Sequence, residues 1–159
     1  MTKTNRKPVV LGLGNPLFSD EGVGIHIIHQ LMASDFDARA ELVDGGTDGL
    51  MLLSLVEEVS HLIVVDAISG NLPPGSIQKL ELDDIPIYAR QKLSPHQLSF
   101  QEVLALASMR DRLPQNMVLF GVQPATLEWG TELSPEVQAA VPVLIDMLNI
   151  QIDYLTRGV

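Results

Sequence analysis

Short apolar runs alternate with stretches of helical periodicity along the whole chain, and this alternation limits the fold more than any other feature. The strand-like runs are Pro8 to Leu13, Glu41 to Val43, His61 to Val65, Ser76 to Leu82 and Asn116 to Val122. Apolar strands separated by helices are typical of a parallel sheet that is covered on both faces. The sequence therefore predicts an α/β fold, a three-layer α/β/α sandwich with a mostly parallel, twisted sheet of about five strands.

Helix boundaries are marked by polar residues and prolines. Ser19 or Asp20 can cap a first helix, which would place Glu21 in its first turn. We expect another helix to open at Ser94-Pro95-His96, and the last one to run from Ser134-Pro135 to about Tyr154. Pro142 is expected to kink or restart that last helix, because proline lacks the backbone N–H that an α-helix uses.

The length of 159 residues suits a single domain spanning residues 1–159, and 46% hydrophobic residues can supply its core. Ten basic residues are scattered among twenty acidic ones, which gives a net charge of −10. Binding to nucleic acid phosphates requires concentrated Lys and Arg, so nucleic acids and anionic membranes are disfavoured as partners. With neither a signal core nor a membrane-spanning apolar stretch in the sequence, we expect a cytoplasmic protein and a monomer.

The chain has no cysteine, which excludes disulfides, thiolate metal sites and cysteine nucleophiles. It also contains no Gly-x-Ser-x-Gly motif, so a serine nucleophile finds little support. If the protein is a hydrolase, a water activated by a carboxylate or a metal ion is the more natural nucleophile.

Three sequence-distant residues are predicted to meet at one rim of the sheet. Glu21 follows the first strand after a turn, Asp66 ends the strand from His61, and His96 lies in a loop entering a helix. Ligands bind beyond the carboxyl ends of the strands in such folds. Two carboxylates and an imidazole suit a divalent transition ion, and this incomplete ligand set suggests an ion that a partner supplies. The simpler alternative is that Asp66 caps the strand end and His96 only hydrogen-bonds its own loop.

Two glycine-rich segments also lie at predicted strand ends. Gly12 and Gly14 are interpreted as allowing a tight turn and close backbone approach, because the dinucleotide-binding pattern is incomplete. Asp44-Gly45-Gly46-Thr47 is read either as a turn entering a helix or as a rim segment that contacts substrate.

Five segments resemble the hydrogenase maturation endopeptidases, in the same order and spacing. They are VLGLGNPLFSDEGVGIHII (Val10 to Ile28), LVDGGTDGL (Leu42 to Leu50), HLIVVDAI (His61 to Ile68), KLSPHQLS (Lys92 to Ser99) and FGVQPATLEWG (Phe120 to Gly130). The resemblance covers nearly the whole chain. It implies a sheet flanked by helices and an enzyme that cuts a short C-terminal extension from the large-subunit precursor of a nickel–iron hydrogenase after nickel insertion.

The resemblance also implies a role for individual residues. The metal-binding residues of the family match Glu21, Asp66 and His96, and Glu21 or Asp66 could in addition assist a water. The nickel belongs to the substrate and signals that loading is complete; another divalent cation could replace it in a crystal. The loop of Asp44, Gly45, Gly46 and Thr47 is associated with substrate recognition.

Three rival functions share part of this sequence pattern. A nickel carrier or checkpoint protein would use the same ligands without cutting a peptide. A peptidyl-tRNA hydrolase shares the GLGNP opening, but the likeness stops at Pro16, and the expected basic surface is missing. A nucleotide-binding α/β domain is the third, and the incomplete fingerprint makes it weak.

Overall fold

In the part of the chain that the structure describes, five strands and four helices follow one another in the order that the sequence predicts. The computed structural model describes residues 7–34, 36, 39–46, 49–85 and 99–157. The elements are β1 (Val9–Leu13), α1 (Val23–Ala33), β2 (Glu41–Gly46), α2 (Gly49–Glu58), β3 (His61–Ala67), β4 (Ile77–Glu81), α3 (Phe100–Met109), β5 (Asn116–Val122) and α4 (Pro135–Arg157). Single turns of 3₁₀ helix at Ser19–Gly22 and Leu82–Asp84 complete the described structure.

The strands form one sheet in the order β2-β1-β3-β5-β4, which confirms the predicted fold class. The strands β2, β1, β3 and β5 are parallel, and β4 pairs antiparallel with β5 at the edge. The more polar sequence of β4 agrees with this edge position, since an edge strand is less enclosed than a central one.

Each face of the sheet carries its own core, because alternate side chains of a strand point to opposite faces. Val10, Ile63 and Phe120 pack with residues of α1 and α4 on one face. Leu11 and Val64 pack with residues of α2 and α3 on the other. The predicted apolar face of α1 is buried as expected, at Val23, Ile27, Ile28 and Leu31.

Some predicted boundaries were wrong. The side chains of Ser19 and Asp20 do not cap a helix, because a 3₁₀ turn stands there and α1 begins at Val23. Strand β2 extends through Asp44 and Gly46, beyond its predicted end.

The last two helices also depart from the sequence prediction. Helix α3 begins at Phe100, where Ser99 and Glu102 form a reciprocal capping box, whereas the predicted opening at Ser94-Pro95-His96 lies outside the described residues. Helix α4 continues through Pro142, so the predicted restart was wrong. Pro142 faces solvent, while the buried neighbours Val141 and Leu144 hold the helix against the sheet. Within the described residues, no helix is long and apolar enough to cross a membrane.

Candidate active site at the β1 and β3 strand ends

The strand order places a crevice between the carboxyl ends of β1 and β3. After β1, the chain passes through α1 to β2, which lies beside β1 at one edge of the sheet. After β3, it continues to β4 and β5, which lie toward the opposite edge. Ligands bind at such a switch point in open α/β sheets. Asp66 lies near the end of β3, and Glu21 follows β1 in the 3₁₀ turn. Two of the three predicted rim residues therefore meet at this crevice.

Gly14 lies between these two acidic residues. Its φ of +116° is one that residues with a side chain rarely adopt. A Cβ placed on Gly14 would clash with the backbone oxygen of Glu21 and would lie 3.6 Å from Oδ1 of Asp66. The absence of a side chain at this position lets the Glu21 turn close over the strand end and brings its carboxylate near that of Asp66.

Asp66 is a half-buried carboxyl whose pKa is raised to about 7. Desolvation by burial is the main cause, and the negative charge of Glu21 adds to it. The backbone N–H of Ala67 donates a 2.8 Å hydrogen bond to Oδ1, which opposes the rise without cancelling it. Near neutral pH, the crevice therefore holds a carboxyl that can be either protonated or charged.

Asp20 anchors the turn that carries Glu21, a role that sequence reasoning missed. Its side chain is fully buried and accepts hydrogen bonds from the backbone N–H groups of Ala125, Thr126 and Ser134 and from the Ser134 hydroxyl. Burial alone would raise the pKa of Asp20, but these hydrogen bonds outweigh it, and the pKa is lowered. The sequence shows only two adjacent acidic residues, Asp20 and Glu21. In the fold, Asp20 is buried and Glu21 is partly exposed.

The Asp44-Gly45-Gly46 segment lies beside the crevice at the end of β2. The N–H of Gly14 donates to the carbonyl oxygen of Gly46, with 3.4 Å between N and O. The Asp44 carboxylate accepts a 3.1 Å hydrogen bond from the N–H of Gly46 and lies 2.8 Å from Nε2 of His29 on α1. These contacts agree with the expected position of the segment at the rim of the sheet. The contact between Asp44 and His29 links the segment to α1.

His96 and Thr47 lie outside the described residues, so their predicted roles stay predictions. In the described part of the chain, no three His, Cys, Asp or Glu side chains gather closely enough to hold a metal ion. Glu21 and Asp66 supply oxygen donors of the kind that divalent ions accept, and a further donor such as an imidazole would complete a three-ligand set.

An apolar rim borders the Glu21 turn. Leu17, Leu127 and Trp129 are all exposed, with 76% of Trp129 open to solvent. The Trp129 ring contacts the Phe18 ring, with 4.6 Å between the ring centroids. Gly130 forms a β-bridge with Phe18: its N–H donates to the carbonyl oxygen of Leu17, and its carbonyl oxygen accepts from the N–H of Ser19. Exposed aromatic and aliphatic side chains next to a polar crevice are typical of a surface that binds a polypeptide.

Comparison with known proteins relates this chain to one family. A family model described as hydrogenase maturation protease matches residues 25–151. The hydrogenase expression/formation protein HoxM of Cupriavidus necator is 43% identical over 136 residues, which are 84% of this chain and 67% of that protein. The hydrogenase 2 maturation protease of Escherichia coli is 34% identical over 145 residues, covering 88% of this chain and 87% of that protein.

The fold agrees with solved structures as well. The hydrogenase maturating endopeptidase HybD from E. coli superimposes with a TM-score of 0.76 at 33% sequence identity, covering 90% of each chain. An endopeptidase from E. coli solved in solution gives a TM-score of 0.77 at 31% identity over 95% of this chain and 94% of that one. Sequence and structure thus lead to the same family.

Proposed function

Because the chain belongs to the hydrogenase maturation protease family, whose members are peptide hydrolases, we propose that it removes the C-terminal extension of a nickel–iron hydrogenase large-subunit precursor after nickel insertion. The observation that carries this proposal is the pair of carboxylates, Glu21 and Asp66, at the switch point of the sheet. The sequence of this chain predicts a metal-binding site at the same two residues.

In this proposal, nickel arrives with the substrate. Glu21, Asp66 and His96 contact the ion and leave its other positions to ligands from the precursor. A protein without cysteine suits this task, because it supplies no thiolates that would keep the ion. The proton that Asp66 holds near neutral pH leaves as the cation binds, since a ligating carboxylate must be charged.

The position of the bound precursor then explains which peptide bond is cut. Docking the ion in the crevice brings the adjoining tail to the rim, where the scissile bond is held close to the reacting groups. The ion orients the substrate and polarises the scissile carbonyl, and Glu21 or Asp66 assists the attacking water. The Asp44–Thr47 loop and the apolar rim of Leu17, Leu127 and Trp129 hold the polypeptide on either side.

The test is a mass spectrum of a purified large-subunit precursor incubated with this protein, with nickel loaded and without. We expect loss of a C-terminal peptide from the loaded precursor only. His96→Ala and Glu21→Gln should abolish that loss while circular dichroism stays unchanged. Glu41→Gln, which alters an exposed carboxylate at the start of β2 and therefore at the opposite end of the sheet, serves as the matched control and should cleave normally.

The outcomes separate this function from its rival. Normal cleavage by a folded His96→Ala protein would remove His96 from the ligand set. Tight binding of the loaded precursor without cleavage would instead favour a nickel carrier or checkpoint protein. The cytoplasm remains the predicted setting of the reaction, and a monomer remains the state predicted from sequence.

A further inference from the structure

A small pocket lies beside the Glu21 turn, between the apolar rim and the Asp44 segment. Its volume is about 240 Å³, and its walls come from the loop before the turn, from α1 and from the loop after β5: Pro16, Leu17, Ile25, His26, His29 and Thr131. Leu17 is one of the three rim residues, and Nε2 of His29 lies 2.8 Å from the Asp44 carboxylate. A polypeptide held by the rim and by the Asp44 segment would therefore cover this pocket.

The size of the pocket indicates what it can hold. Sites for separate small molecules usually measure about 300–1,000 Å³, so 240 Å³ is small for a cofactor or a free substrate. A water molecule takes up ~30 Å³ in the liquid, so the space is large enough for one side chain of a bound polypeptide. The apolar walls at Leu17 and Ile25 suit a side chain with an aliphatic stem.

His26 gives the pocket an unused hydrogen-bonding group. Its Nε2 atom is buried and has no hydrogen-bond partner in the part of the chain that the structure describes. An unpaired buried polar atom is unfavourable, because it has lost its water without gaining a protein partner. The neighbouring His29 differs, since its own Nε2 is already paired with Asp44. His26 is thus the lining residue that a bound polar group would satisfy.

Given the proposed function, we propose that this pocket is a subsite for one carboxamide side chain, Asn or Gln, of the polypeptide that the protein cleaves, and that His26 determines this specificity. Nε2 donates a hydrogen bond in two of the three forms of an imidazole, and the Thr131 hydroxyl is a second donor. Both donors suit an oxygen acceptor. In the third form, where Nε2 is an acceptor, the NH₂ group of a carboxamide donates instead.

Charge favours a carboxamide over a carboxylate in this pocket. Asp44 contacts His29 in the wall, Glu132 follows Thr131, and the chain carries a net charge of −10. These acidic residues would repel a further carboxylate, whereas a carboxamide presents the same oxygen without the charge. A purely apolar side chain would fill the space but leave Nε2 of His26 unpaired.

His26→Leu separates a binding role from a structural one. Leu fills a similar space and removes the unpaired nitrogen, so the free energy of unfolding in urea should stay the same or rise. A variant that is clearly less stable than the parent would show that the imidazole supports the fold, and this result would overturn the proposal.

Specificity is measured with a panel of nickel-loaded precursors. Each residue around the junction between the mature subunit and its tail is replaced in turn by Gln, Glu or Leu, and mass spectrometry gives kcat/KM. We expect one position at which the parent cleaves the Gln precursor at least ~10-fold more efficiently than the Leu or Glu precursor. His26→Leu should shift the preference at that position to Leu. His61→Leu is the matched control, because it removes an imidazole at the start of β3, and it should keep the preference of the parent.

The results distinguish failure of the subsite from failure of the proposed function. A parent that cleaves the panel without preferring Gln at any position overturns the subsite and leaves the function intact. So does a preference for Gln that His26→Leu does not alter. If the parent cleaves no member of the panel, the proposed function fails. Dissociation constants of the same precursors then decide the subsite, and equal binding of the Gln and Leu precursors at every position overturns it.

Discussion

The carboxylate of Asp20 accepts two hydrogen bonds from Ser134, one from its backbone N–H and one from its hydroxyl, each 2.8 Å long. These bonds join the turn before α1 to the start of α4, 114 residues further along the chain. Because Glu21 is the next residue, the same contacts fix the position of a carboxylate in the crevice. A buried structural acid and a proposed site acid are thus neighbours in sequence.

Replacing Asp20 with Asn should destabilise the protein by about 3 kcal/mol. The amide keeps one acceptor oxygen and turns an NH₂ group toward donors, which leaves buried N–H groups unpaired. The lowered pKa of Asp20 means that its contribution is present above its ordinary value of 3.8 and is lost as the pH falls through the lower folded value. Urea unfolding at pH 7 and below pH 4 measures both effects. Asp146→Asn, on the exposed side of α4, should change little.

Replacing Asp66 with Asn should stop precursor cleavage while stabilising the free protein above pH 7. A carboxyl with a pKa raised to about 7 binds more protons folded than unfolded between pH 4 and 7, so stability falls as pH rises through that range. A rise of three pKa units would be worth ~4 kcal/mol for a group wholly removed from water, and partial exposure reduces this to about 2 kcal/mol. Asn keeps an oxygen for the Ala67 N–H.

Unfolding of both proteins at pH 4 and pH 8 checks this expectation. The free energies of unfolding of the parent and the variant should be nearly equal at pH 4. At pH 8, the variant should be more stable. Asp83→Asn, an exposed acid, provides the comparison for loss of one surface charge. A variant that is less stable than the parent at pH 8 would show that the charged form of Asp66 does not destabilise the free protein.

Gly24→Ala should destabilise the fold by about 3 kcal/mol or prevent soluble expression. A Cβ at Gly24 would clash with the carbonyl oxygen of Val65 and lie 2.6 Å from that of Leu13, so α1 would have to move away from β1 and β3. Thermal unfolding gives the size of the loss. At Gly70, the nearest atom to an added Cβ is 3.1 Å away in the flexible side chain of Gln78, so Gly70→Ala should cost little.

Trp129→Ala should raise the KM for the precursor about tenfold and leave kcat nearly unchanged. An exposed aromatic anchor contributes to binding before and during the reaction equally, and uniform binding affects KM alone. Steady-state cleavage of nickel-loaded precursor separates the two constants. Met109→Ala removes an equally exposed apolar side chain from α3 and should change neither. A fall in kcat alone would instead place Trp129 among the groups that act on the reacting bond.

The sequence by itself determined the element order, the fold class and the family. Apolar periodicity does this reliably, because a strand such as His61–Ala67 or a helix face such as that of α1 must be buried whatever surrounds it. The close backbone approach predicted at Gly12 and Gly14 is confirmed, because a Cβ at Gly12 would clash with the carbonyl oxygen of Gly24 and one at Gly14 would clash with the backbone of Glu21. Helix capping was predicted less well. Asp20 does not cap α1, because its carboxylate accepts hydrogen bonds from Ala125, Thr126 and Ser134, which are distant in sequence.

Only the tertiary structure decided the environment of each acidic residue. Asp20 and Glu21 are adjacent acidic residues, yet Asp20 is buried and accepts four hydrogen bonds, whereas the charge of Glu21 raises the pKa of Asp66. The raised pKa of Asp66 likewise needs the sheet order and the packing of the Glu21 turn. Burial and charge–charge distance depend on residues that meet only in the folded chain, so a linear pattern can nominate the carboxylates of a site but cannot assign their protonation.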